Sequence, residues 1–288
     1  MCALRLLVVE GNTAETRVRH VESSGHTASE GYSALLSGLA PDAIVDVCFP
    51  ADPGANLPER TAIADYDGAV ITGSSLNLWK AEAPSLRQVD LAREIFASRV
   101  PFFGSCWGLQ VAAVAAGGTV RLNPKGREIG IARKITLTEA GRAHPMHSGR
   151  ALAFDAPTVH SDEVGVPPGE IIVTAANAVT DIQAAEIHHE GGTFWGVQYH
   201  PEYSLHDIAA TLRRYGERLI VDGFFRSLEE LEAHAALFGA LGEDGSRRDL
   251  AWRLGIDADL LDPLTRTAEI ANWLTYAVRP AQSRRMRG

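Results

Sequence analysis

"PFFGSCWGLQVAAVAAGG", residues 101–118, places a cysteine between two glycines where a short apolar run gives way to an alanine-rich one. The apolar run reads as a buried strand and the alanine-rich run as a helix. Gly104, Cys106 and Gly108 form G-x-C-x-G, the cysteine counterpart of the G-x-S-x-G turn that lifts a nucleophile onto the end of a sheet. Such a turn is too tight for Cβ atoms on either side of the nucleophile, which accounts for both glycines. The amino end of the following helix favours negative charge on the sulfur. There the backbone N–H of Trp107 is placed to bond a developing oxyanion. The Trp107 side chain has no part in that chemistry, and the reading assigns it to substrate identity.

Outward from this turn, strands and helices alternate over the first 120 or so residues. "LRLLVVE" (4–10) reads as a buried first strand. The polar segment Gly11 to Gly31 reads as a functional loop, either a solvated insertion or a lid beside the site. A helix near Tyr32 to Leu39 follows, then a strand "AIVDVCF", a Pro-rich connection and a strand "YDGAVITGS". Pro84 suits the first turn of a helix in which Leu86, Val89, Ala92, Ile95 and Phe96 recur at helical spacing. Strands alternating with helices argue for a parallel sheet covered on both faces, with its ligand beyond the carboxyl ends of the strands.

From Gly118 to Tyr199 the pattern turns to β-prone runs, "EIGIARKITLT", "EIIVTAA" and a hairpin turning at Glu190 to Gly192. Residues 223–288 carry amphipathic helical patterns, the first opening with Ser227 and Glu230 as a capping box. These helices must bury one face, against the main domain or in a docking or homodimer surface. Trp252 and Trp273 read as packing residues within them. Two units are expected, residues 1–222 and a helical extension, residues 223–288.

The chain has 288 residues, 45% of them hydrophobic and 22% charged, as expected of a globular protein with a sizeable core. A formal net charge of −9 disfavours nucleic acid and anionic membrane surfaces as partners, and the basic "SRRMRG" reads as a frayed end. Cys2, Cys48 and Cys106 show no paired spacing, which suits a reducing, cytoplasmic setting. No apolar run approaches the ~20 residues of a membrane span. The histidines of "HPMH" (144–147), with His188 and His189, lack metal-ligand spacing and read as surface groups, so no metal is expected. Neither phosphate-binding glycine motif is present, and no cofactor is expected.

A nucleophilic cysteine needs a base, and the base an orienting group. "GVQYHPEYS" offers both: His200 and Glu202 project to the same side of an extended chain, so Glu202 can accept one imidazole N–H and leave the other nitrogen for Cys106. With "GSCWGLQ", "GVQYHPE" and the strand end "AVITGSS", the chain resembles the class I, or triad, glutamine amidotransferases over roughly residues 4–208. "GREIGIA" and "HSDEV" make it most similar to stand-alone members like the glutaminase domain of GMP synthase.

That resemblance implies a flavodoxin-like, three-layer α/β fold. It also implies a Cys106–His200–Glu202 triad that cleaves a γ-carboxamide through a γ-glutamyl thioester. By position it implies a second oxyanion N–H from Gly73, and Gln110, Ser161 and Asp162 around the amino-acid end of the substrate. Where many members carry further glycines or a proline, this chain has "GSSLNLW". Three functions follow: a glutaminase passing ammonia to an acceptor on a separate synthetase subunit, a free-standing γ-glutamyl hydrolase or transferase, and a catalytically silent binding protein. The intact triad argues against the third.

Overall fold

The computed structural model describes residues 3–54, 57–58 and 61–285. Eleven strands are described: β1 (Arg5–Val9), β2 (Ile44–Cys48), β3 (Gly68–Ile71), β4 (Phe102–Ser105), β5 (Thr119–Leu122), β6 (Glu128–Leu137), β7 (Ala153–His160), β8 (Asp162–Val166), β9 (Ile171–Ala176), β10 (Ala184–His189) and β11 (Gly192–Val197). Nine form one sheet in the order β2-β1-β3-β4-β11-β10-β9-β6-β7, and β5 pairs with β8 in a small second sheet. β2, β1, β3, β4 and β11 are mutually parallel; from β11 onward the pairings are antiparallel, starting with the expected hairpin at Glu190.

The parallel half is buried on both faces, as near-continuous apolar strands require. Leu7 and Val9 of β1 point into one core with Ile71, Phe102 and Phe194, while Leu6 and Val8 point into the other with Val70, Phe103 and Trp195. Helices α3 (Ala83–Ser98) and α4 (Trp107–Ala115) cover the first face through Val89, Ala92, Ile95, Phe96 and Leu109. Pro84 sits in the first turn of α3 as its sequence suggests, although Leu86 faces solvent. The second face is covered by Tyr32 and Leu36, and by Ile270, Trp273, Leu274 and Val278 from the end of the chain. The approach there is close: a Cβ on Gly68 would lie 2.9 Å from both Trp273 and Val278. The helices from Ala268 onward therefore pack on the main sheet, whereas Leu231, Phe238, Leu250 and Leu254 of the earlier ones form a separate core with Leu205, Ile208 and Leu212. Arg150 fixes the last helices in place, its buried guanidinium donating to Glu269 at 2.7 and 3.0 Å.

Three expectations need correction. The segment Gly11 to Gly31 is not a loop but contains α1 (Ala14–Ser24) and the start of α2 (Ala28–Leu39). Thr13 and Thr27 cap these helices, and Thr27 with Glu30 closes a full capping box. Trp252 is 76% exposed, whereas Trp273 is fully buried. His147 is buried and bonds Thr174, and His144 bonds Glu186 at 2.5 Å, so neither is a surface group.

Two smaller features also differ. Ser227 Oγ accepts from the Glu230 N–H, but the Glu230 carboxylate takes the N–H of Arg226, so only half of that capping box forms. Of the basic tail, residues 286–288 lie outside the described residues. Arg285 ends a helix (Arg279–Arg285), binding the carbonyls of Ala64 and Tyr66 and the carboxylate of Asp67. Among the described residues no helix is long and apolar enough to cross a membrane.

Candidate active site

The site lies where β3, β4 and β11 end. Cys106 occupies the junction of β4 and α4 at φ 50°, ψ −97°, a conformation that L-residues with a Cβ rarely adopt. Its N–H bonds the Val197 carbonyl at 2.7 Å, tying the turn to β11. The flanking glycines are required by space: a Cβ on Gly104 would lie 2.7 Å from the Gly108 Cα, and one on Gly108 2.5 Å from the Ile71 carbonyl oxygen. The thiol opens on a cavity rather than bulk solvent, with Cys106 only 6% exposed and Sγ 3.5 Å from the Val159 carbonyl.

His200 and Glu202 follow β11 and reach the same place. His200 donates from Nδ1 to Glu202 Oε1 at 2.7 Å. Its ring stacks on Tyr203, with centroids 4.2 Å apart and planes 16° from parallel. Nε2 has no hydrogen-bond partner among the described residues and is left for the thiol side. Burial opposes the imidazolium, but the adjacent Tyr203, Glu202 and Cys106 side chains outweigh it and hold the His200 pKa well above the usual histidine value. A protonated His200 can donate a proton.

Several supporting residues escaped the sequence reading because their roles exist only in three dimensions. Ser105 donates to Glu202 Oε2 at 2.8 Å, and Tyr32, from α2, bonds both Ser105 and Glu202. Trp107 is not a substrate contact: its indole is buried and donates to Gln88 at 2.7 Å, and Gln88 in turn bonds the Gly11 carbonyl at 3.0 Å. Gly73 lies against His200, where a Cβ would fall 2.7 Å from its Cε1. Its carbonyl accepts from Thr72 Oγ1 at 3.0 Å and Asn12 Nδ2 at 3.3 Å, which pins the strand-end loop. The Trp107 N–H lies in the first turn of α4, where helical N–H groups lack intrahelical acceptors.

Gln110, Ser161 and Asp162 line the same cavity as Cys106, about 310 Å³ in volume, together with Asn77, Trp79 and Lys80. Asp162 is buried and accepts from Asn77 Nδ2 at 2.8 Å and Trp79 Nε1 at 3.2 Å, and Gln110 donates to the Asp162 carbonyl at 3.2 Å. The "GSSLNLW" segment thus shapes the pocket wall. A second cavity opens on the His200 side, bounded by Asn12, His20, Tyr203 and Arg214, and shares Ser74, Ser75, Val159 and Tyr215 with the first. No cluster of three or more metal-binding side chains occurs among the described residues.

An α/β sheet with a cysteine on a strained strand-to-helix turn, faced by a carboxylate-bound histidine, defines an amidohydrolase-type scaffold. The family model for class I glutamine amidotransferases matches residues 54–214, and the chain belongs to that family. It is 40% identical to a γ-glutamyl-L-1-hydroxyisopropylamide hydrolase of a Pseudomonas species, over 98% of this chain and 96% of that one. It is 30% identical to the GMP synthase of Streptomyces coelicolor over 59% of this chain, which spans only 34% of that synthase. In fold it is similar to a glutamine amidotransferase from Thermotoga maritima, at TM-score 0.63 and 16% identity, covering 94% of this chain and 98% of that one.

Proposed function

We propose that this protein is a free-standing hydrolase of γ-glutamyl amides, working through a Cys106 thioester. The observation that carries the reading is identity to a γ-glutamyl amide hydrolase along the full chain, terminal helices included. The GMP synthase relatives align over 59% of the chain or less. They support the other reading, ammonia released from glutamine for a separate synthetase subunit.

In the proposed reaction the γ-glutamyl group lies in the Gln110–Ser161–Asp162 pocket. Asp162 faces its ammonium and Lys80 its α-carboxylate. Sγ, its proton having passed to His200 Nε2, attacks the amide carbon as the thiolate, and the N–H groups of Trp107 and Gly73 receive the negative charge on the carbonyl oxygen. His200 Nε2 passes its proton to the nitrogen as the C–N bond breaks, releasing the amine and leaving a γ-glutamyl thioester. Water then attacks the thioester carbon and gives a proton to His200. The C–S bond breaks, glutamate leaves, and Cys106 is regenerated. Glu202, held by Ser105 and Tyr32, keeps His200 oriented throughout both halves.

The test is glutamate release by the purified chain from glutamine and from a γ-glutamyl alkylamide, with Cys106→Ala as control. Unaided turnover of the alkylamide, lost in C106A, supports the hydrolase. Activity on glutamine alone, rising when a synthetase is added, supports the ammonia-supplying reading. Inactivity of the folded wild type on both, equal to C106A, leaves a binding protein.

A further inference from the structure

We propose, resting on the hydrolase reading above, that the leaving amine is an organic amine bearing an oxygen acceptor, a hydroxyl or a carboxylate, which lies against Arg214 in the cavity on the His200 side. The direction of the leaving group follows from chemistry. The nitrogen must accept its proton from His200 Nε2, so its substituent extends past His200 and away from the Gln110–Asp162 pocket. A cavity of about 260 Å³ opens there and meets the first at Ser74, Ser75, Val159 and Tyr215. Ammonia needs no more room than a water, whose share of liquid volume is about 30 Å³. The space is suited to a small amine.

The walls indicate which amine. Arg214, the last residue of the helix Leu205–Arg214, is half-buried in this cavity and pairs with no carboxylate among the described residues; its contact is with the Tyr215 ring, at 5.6 Å. Arg19 at the rim is satisfied by Glu15. No Asp or Glu lines the cavity. His20 is buried with Nδ1 2.7 Å from the His26 carbonyl, and burial together with Arg214 lowers its pKa, so it adds no second cation. An unpaired guanidinium beside neutral donors selects an oxygen acceptor and repels a second ammonium placed against it. Asn12, Thr16, Arg19 and His20, from α1 and its approach, form one side of this cavity, which gives the 11–31 segment a role in choosing the amine.

The experiment compares kcat/KM for the γ-glutamyl amides of alanine, alaninol and isopropylamine, and for glutamine, in wild type, Arg214→Met and Arg214→Lys. In wild type the better of the alanine and alaninol amides should exceed the isopropylamide by about tenfold or more, as expected for a hydrogen bond to a charged group. R214M should collapse that ratio and R214K retain part of it, and the faster of the two oxygen-bearing amides identifies the acceptor. A wild-type enzyme that hydrolyses all amides alike, or a ratio that R214M does not move, overturns this inference and leaves the hydrolase reading intact. Hydrolysis of glutamine alone overturns both.

Discussion

Gly73→Ala tests the proposed site most directly. Its Cβ would stand 2.7 Å from His200 Cε1 and 3.5 Å from Nδ1, where non-bonded carbons settle at about 3.5–4.0 Å. The ring must therefore retreat by roughly 1 Å. It is held against doing so by the 2.7 Å bond to Glu202, the stacked Tyr203 ring, and its own N–H on the Pro157 carbonyl at 2.8 Å. Gly73 is not in the left-handed region, so alanine meets no backbone penalty and the fold should survive. A 1 Å misplacement of a proton-transfer group costs on the order of 100-fold, about 2.7 kcal/mol of barrier. The assay is glutamate release from a γ-glutamyl amide, with thermal unfolding alongside it. The expected result is kcat down about 100-fold with KM little changed and the unfolding midpoint close to wild type. A folded variant with nearly full kcat would refute His200 as the proton-transfer group, or its confinement by Gly73.

Glu269→Ala should destabilise the protein by about 3–5 kcal/mol in urea unfolding, because it strands the buried Arg150 guanidinium. Glu269 titrates at about 2 in the fold, since Arg150 and His147 outweigh the opposing effect of burial, so the pair persists throughout the neutral range. His26 has its pKa raised to about 9, chiefly by its hydrogen bond to Asp207. A raised value means stability that is fully present below the ordinary histidine pKa of about 6.5 and lost as pH rises through about 9. His26→Gln should flatten the fall of the unfolding midpoint across that window, by an amount that solvent screening of this partly exposed ring keeps small. Trp107→Phe removes the donor to a buried Gln88 oxygen and should cost about 1–3 kcal/mol in unfolding free energy.

The turn at Cys106 was legible because its constraint is local: two glycines around one strained residue leave few other readings. The same holds for His200 and Glu202, which two-residue spacing alone puts on one side of the chain. The 11–31 segment was misread because α1 is polar on most of its surface and buries only His20 along its length. Its hydrophobic periodicity is therefore weak, although the Thr27–Glu30 capping box was there to be read. Trp252 and Trp273 show the limit of periodicity from the other side. Both fall in amphipathic patterns, and only the position of Gly68 beneath Trp273 distinguishes the buried one.

By itself, then, the sequence determined the strained strand-to-helix turn at Cys106, the histidine–carboxylate pair and the α/β character of the first half, because each follows from backbone geometry within a few residues. Only the tertiary structure decided what surrounds them. Tyr32 and Ser105 meet at Glu202 from positions 73 residues apart in the chain. Arg214 reaches the cavity beside His200 from the end of a later helix. The final helices close the sheet's second face through contacts with Gly68 and Arg150. Such contacts join residues far apart in sequence, and no local pattern encodes which of many polar or apolar side chains will meet.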